Sequence, residues 1–182
     1  MKIGNTLYRS MLMILLSMCF FSCTGTAHNA SVKSDTSILA AYDHPLLINS
    51  DTPFCQVNLV SSGKKLSAGK KILLLFDDPL VLQNPDGVYE VYVTREKIDL
   101  KNLSSSNPGY INVLDLYALT VTDPPNYLSI DLTKKSVQWA KDGQALAPLI
   151  MTILFRGNTM PDNLESKNAG QMKVQRIRVV QE

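Results

Sequence analysis

The chain has 182 residues, 45% of them hydrophobic, enough for one sizeable core but hardly for two. Lys and Arg total 18 against 16 Asp and Glu, and two of the basic residues, Lys2 and Arg9, stand at the extreme N-terminus, so the remainder is balanced. Nucleic-acid binding needs a concentrated positive field, and the largest basic group in the sequence is Lys64-Lys65 with Lys70-Lys71, so that class of partner is excluded.

The first element expected is a targeting signal. Lys2 and Arg9 precede an apolar run at residues 11–21, too short for a comfortable membrane span but suited to a signal-peptide core. Phe20-Phe21-Ser22-Cys23 resembles a bacterial lipoprotein box, with Phe20 where Leu is usual. On this reading residues 1–22 are removed, Cys23 carries the lipid, and the protein is tethered to a membrane of the cell envelope. The alternative is a secreted protein cleaved near Ala27 or Ala30. Cys19 and Cys23 are then spent, and Cys55 is a lone thiol that cannot form an internal disulfide.

Residues 23–53 are rich in Ser, Thr, Asn, Ala and Asp and lack sustained periodicity, so they read as a flexible tether with a short strand at residues 46–48. The folded domain is expected at residues 54–182. Residues 54–60 alternate as a strand, and the 61–65 segment turns. Ile72-Leu73-Leu74-Leu75-Phe76 is apolar on both faces and reads as a central strand. An acidic bend, a short extended piece and the Asn84-Pro85-Asp86-Gly87 turn lead to a strand at 88–93. After the loop at 104–109, a strand begins at Tyr110 and continues through 114–120. Leu128, Ile130 and Leu132 alternate with polar residues. Thr133 then reads as the N-cap of a short helix at 134–141, with Val137 and Ala140 on one face.

Residues 147–155 form another apolar run. In the last strand the inward positions Met172 and Val174 give way to Ile177 and Val179, a one-residue slip that a bulge near Gln175 would repair. About seven to eight short strands with one short helix predict an all-β fold, an antiparallel β-sandwich, with a small β-barrel as the alternative.

Several blocks keep the order of the C-terminal β-domain of plant-type polyphenol oxidases, the tyrosinase-like copper enzymes. Tyr89-Glu90-Val91-Tyr92-Val93 resembles a Phe-Asp-Val-Tyr-Val strand that follows a similar connector. Tyr110-Ile111-Asn112-Val113, Leu128-Ser129-Ile130-Asp131-Leu132, Met151-Thr152-Ile153-Leu154-Phe155-Arg156 and the strand at 174–180 occupy places similar to later blocks. The resemblance covers roughly residues 54–180. In that family this domain packs on a separate copper-bearing catalytic domain, so the resemblance implies a non-catalytic accessory or capping partner of a tyrosinase-like copper enzyme. Where family members carry histidines, this chain has Leu114-Asp115-Leu116-Tyr117.

Chemistry of the chain's own is hard to assemble. The only histidines are His28 and His44, too few for a binuclear copper site or a nucleophile with its base. Asp77, Asp78 and Asp86 read as turn residues rather than calcium ligands, and Met151, Met160, Met172 and Cys55 offer only a scattered set of soft copper ligands. Trp139 is expected to plug one end of the sandwich; exposed beside Tyr127 it would instead suit a sugar ring. No enzymatic activity and no cofactor are expected. The candidate partner-binding side chains are Tyr110 and Met160, the large residues of two long polar loops. The rival function is an envelope binding module for a glycan or another protein.

Overall fold

Strand β4, Ile72–Asp77, is buried along its whole length. Ile72, Leu74 and Phe76 enter the main core, while Leu73 and Leu75 join Val180 and Ile38 in a second cluster on the opposite face. The computed structural model describes residues 36–182, except 68, 101–102, 120–123, 142–147 and 158–167. These belong to a compact unit, Ser34–Glu182.

The fold is all-β with antiparallel pairing throughout the described strands. The strands are β1 (Ser37–Tyr42), β2 (Leu46–Asn49), β3 (Phe54–Ser61), β4, β5 (Leu80–Gln83), β6 (Tyr89–Thr94), β7 (Tyr110–Val113), β8 (Tyr127–Asp131), β9 (Leu149–Phe155), β10 (Gln171–Val174) and β11 (Arg176–Gln181). A 3-10 turn, Leu116–Leu119, follows β7, and helix α1, Thr133–Lys141, follows β8. An eight-stranded sheet in the order β7-β6-β9-β3-β1-β11-β4-β8 curls into a nearly closed, barrel-like form, and a three-stranded sheet has the order β2-β10-β5.

The two orders explain each other. β1, β11 and β4 are neighbours in the large sheet, and β2, β10 and β5 are neighbours in the small one. Each member of the small sheet is the continuation of a strand of the large sheet across a bend: residues 43–45, Gln175, and Asp78-Pro79. Strands that switch sheets at bulges or bends make such corners. The slip at Gln175 is therefore present, and it marks the point where one strand passes between sheets. The strand count exceeds the expected seven to eight because three strands are broken at this corner and β1 was read as tether. That reading is corrected. β1 sits between β3 and β11, with Leu39 and Ala40 buried, so the folded domain starts well before residue 54.

Charge pins the corner. Asp77 ends β4 opposite Arg176, and its carboxylate accepts from Arg176 Nε at 2.9 Å and from Arg178 Nε and a terminal guanidinium nitrogen at 2.6 and 2.7 Å. Asp43, from the β1–β2 bend, lies 4.0 Å from Arg176. Burial alone would raise the Asp77 carboxyl, but the two guanidinium groups outweigh it and hold it below the ordinary range. Asp77 is thus a buried clasp rather than the turn residue expected; Asp78, with φ of 46°, makes the turn.

Helix α1 closes one end. Trp139 enters the main core, as expected of a plug, while Tyr127 stands at the far end of β8, so no paired sugar platform forms. Val137 and Ala140, expected on one face of the helix, share an exposed face, and Ser136 and Trp139 are buried. The Thr133 hydroxyl accepts from Ile72 N at 3.0 Å and ties the helix to β4, whereas Asp131 accepts from Thr133 N at 2.7 Å. The start of the helix is therefore held by Asp131, and its carboxyl is lowered by hydrogen bonds from Thr133.

Cys55, in β3, packs against the main core, and burial pushes its thiol up to about 12. The expected consequence is slow alkylation at neutral pH, since the thiolate is the nucleophile. Iodoacetamide labelling of the native and urea-unfolded protein, read at Cys55 by mass spectrometry, should differ by more than about tenfold in rate; equal rates would contradict the burial.

Candidate functional site

The end of the strands that carries the 84–88 connector brings together residues from several separate stretches of the sequence. Tyr89 pairs with Phe155 and Glu90 with Leu154, which brings together the two blocks around Glu90 and Arg156. Arg156 N donates to Val88 O at 3.0 Å, and Asp86 N donates to Asn168 O at 3.0 Å. Arg156 and Asn168, on either side of residues 158–167, are thereby fixed to the connector. A side chain on Gly87 would collide with the Gly157 backbone, and one on Gly170, at φ of 62°, with Gln83 and Pro85. The Tyr89 hydroxyl donates to Ala169 O, and burial raises it to about 12, so it remains a donor at any physiological pH.

On the face of β6 away from the main core, Arg156, Glu90 and Tyr92 form one network. Arg156 Nε lies 2.6 Å from Glu90 Oε2, the Tyr92 hydroxyl donates to the same oxygen at 2.5 Å, and Arg156 also donates to Leu103 O. Burial, then the Glu90 carboxylate, raises the Tyr92 phenol. Desolvation opposes the Arg156 charge, but Glu90 and Tyr92 more than restore it. Tyr110, the sequence candidate, packs here edge-on to Tyr92 with centroids 5.5 Å apart. It is a half-buried member of this support rather than a protruding anchor.

Beside this support a cleft of about 710 Å³ opens between the connector and the end of β7. Asn84, Pro85 and Val88 form one wall, and Asn112, Asp115 and Tyr117 the other. Tyr117 is 79% exposed and Val88 46%, so two large apolar side chains flank the concavity. The sequence reading continued the β7 strand through this segment. Instead Asp115 Oδ1 accepts from Tyr117 N at 3.1 Å and starts the 3-10 turn that turns Tyr117 outward. An Asp two residues before the tyrosine was the available signal, masked by the apolar Leu114 and Leu116 around it.

Cys23 and Met160 lie outside the described residues. His44 stacks edge-on against Tyr42 at the β1–β2 bend, with centroids 5.4 Å apart. Met151 and Met172 are core residues. Among the described residues, no three His, Cys, Asp or Glu side chains are grouped to hold a metal ion, and no helix is long and apolar enough to cross a membrane. No family model and no curated protein matches this chain.

Proposed function

We propose that the chain is a non-catalytic, lipid-anchored binding protein of the bacterial cell envelope that presents the cleft between the connector and β7 to a partner. The observation that carries this reading is the placement of exposed Tyr117 and Val88 on the rim of a concavity whose walls are fixed by backbone hydrogen bonds and close glycine contacts. A rigid scaffold that presents exposed aromatic and apolar side chains from loops suits recognition. The partner that the resemblance to polyphenol oxidase C-terminal domains implies is a separately encoded tyrosinase-like copper enzyme, which this domain would cap or shield.

Tyr117→Ala and Val88→Ser are expected to weaken binding to a phenol oxidase from the same genome by at least about tenfold, with the melting temperature unchanged, because both side chains are exposed. Calorimetry against the purified enzyme reads the affinity. Binding left intact by both substitutions would move the interface elsewhere. The second reading, a glycan module, is favoured by Tyr117 standing among Asn84, Asn112 and Asp115, an aromatic face beside polar groups that suit a sugar. Binding to a glycan array that Tyr117→Ala abolishes, with no affinity for the oxidase, would favour it.

The anchor has its own test. After a high-salt wash, which releases electrostatic contacts, Cys23→Ser is expected to shift the protein from the membrane to the soluble fraction and to remove incorporated radiolabelled palmitate. Unchanged membrane retention and unchanged label would refute lipidation at Cys23.

A further inference from the structure

The end of the molecule opposite the cleft gathers charge that is dispersed in the sequence. β4 runs from Lys71 toward the corner at Asp77, and its pairing with β8 sets Leu73 opposite Asp131, just before α1. The 62–71 loop and α1, far apart in the chain, therefore meet around a groove of about 440 Å³ lined by Leu66, Lys70, Ile72, Ser136, Val137 and Ala140. Lys64, Lys65, Lys70, Lys71 and Lys134 are all exposed there, and Lys71 and Lys134 both act on the Asp131 carboxylate. Within the loop, α1 and the adjoining ends of β1, β4, β8 and β11, the described carboxylate side chains are Asp131 and Glu182, while Glu96 and Asp99 belong to the 95–109 segment, which α1 touches where Lys135 donates to Pro108 O. Val137, half-exposed in the middle of this face, gives it an apolar centre.

The chain enters the fold at the same end. Ser37, the first residue of β1, pairs with Gln181, whose side-chain amide donates to Lys65 O at 3.4 Å, and Glu182 exchanges backbone hydrogen bonds with Lys71. Any tether from a lipid-bearing Cys23 thus joins the domain beside the five lysines. By contrast, the cleft lies at the other end of the strands, where β6 begins and β7 ends.

We propose that this lysine-rimmed, apolar-centred face is a contact surface for an anionic phospholipid bilayer, which seats the domain with its cleft pointing away from the membrane. Basic side chains at a bilayer surface are attracted by the anionic headgroups, and an exposed apolar residue among them adds shallow burial. The proposal rests on the reading of the chain as a membrane-attached protein, but its chemistry does not require the lipid on Cys23.

The test uses the full chain carrying Cys23→Ser, so that lipidation cannot mask the face. Co-sedimentation with vesicles of phosphatidylcholine alone, or mixed with phosphatidylglycerol, gives an anionic-to-neutral partition ratio in which contributions from the apolar N-terminal run cancel. Each lysine close to an anionic surface contributes about fivefold. Replacing Lys64, Lys65, Lys70 and Lys134 with Gln should lower the ratio by more than about tenfold, and Lys173→Gln, on the small sheet, should leave it unchanged. Val137→Ser should reduce binding to anionic vesicles with the melting temperature preserved. A parent protein without preference for anionic vesicles, or a fourfold variant that keeps the preference, overturns the proposal. Equal lysine-dependent binding to heparin without binding to vesicles would assign the face to a soluble polyanion and overturn it as well. Loss of membrane retention in the Cys23→Ser fractionation experiment bears on the anchor alone.

Discussion

A chain shortened to begin at Asp51 is expected to lose its cooperative melt, whereas one beginning at Ser34 should keep it. The shortened chain lacks β1 and β2. β1 is an interior strand with β3 on one side and β11 on the other, so its removal cuts the eight-stranded sheet into a four-stranded and a three-stranded piece. β2 is the partner of β10 in the small sheet. Leu39, Leu46 and Ile48 leave the core with them. At about 1.5–3 kcal/mol for each fully buried aliphatic side chain, the loss is roughly 5–9 kcal/mol, before the unpaired edges of β3 and β11 are counted. A domain of this size has a total stability of about 5–15 kcal/mol. The loss is therefore comparable with everything that holds the fold. Far-UV circular dichroism and a thermal melt of the two shortened chains decide the matter. A cooperative transition in the Asp51 chain, at a temperature close to that of the Ser34 chain, would show that β1 is dispensable.

That expectation reverses the boundary drawn from sequence, and the reason is local. Ser37-Ile38-Leu39-Ala40-Ala41-Tyr42 carries two alanines and no clear alternation, in a neighbourhood rich in Ser, Thr and Asn. Its own strand preference is weak. It becomes a strand because β3 and β11 each offer it an unpaired edge, a condition that no window of sequence contains. β4, β6, β8 and β9 were legible for the opposite reason: dense or alternating runs of Leu, Ile, Val and aromatic residues bounded by turn residues specify a strand wherever they fall. The phase slip at Gln175 was equally visible, since a period of two leaves no other way to keep both halves facing inward. Its role as one of three aligned bends was not, because the other two are written in unlike residues, Asp43-His44-Pro45 and Asp78-Pro79.

The site followed the same division. Glu90 and Arg156 stood in blocks singled out in the sequence, but only the β6–β9 register puts them together. Tyr117 was not singled out as a binding residue because its apolar neighbours suggested a strand, and the lysines of α1 join those of the 62–71 loop only through the β4–β8 pairing. Pairwise register, rather than composition, decides which side chains share a surface, and the candidate cleft and the basic face are both products of register.

The corner clasp yields the second large effect. Asp77→Asn is expected to destabilise the protein by about 2–3 kcal/mol at neutral pH. Removing one partner of a fully buried ion pair costs about 3–5 kcal/mol. The figure is lower here because the Arg176 side chain is 42% exposed and keeps Asp43 within 4.0 Å, so only Arg178, at 19%, is left substantially stranded. The melting temperature should fall by roughly 4–12 °C for a domain of about 150 residues. The direction of the Asp77 shift fixes the pH dependence. Its carboxyl is depressed in the folded state, so its contribution is complete above the unfolded value of about 3.9 and is lost as pH falls through the lower, folded value. The stability gap between the parent and Asp77→Asn should therefore be constant from pH 7 down to about 5 and narrow steadily in more acidic solution. Urea denaturation of both proteins across that range measures it. A gap that widens on acidification would mean that Asp77 is held protonated by burial, and the two arginines would then have to be stabilising the corner through their backbone and aliphatic contacts instead.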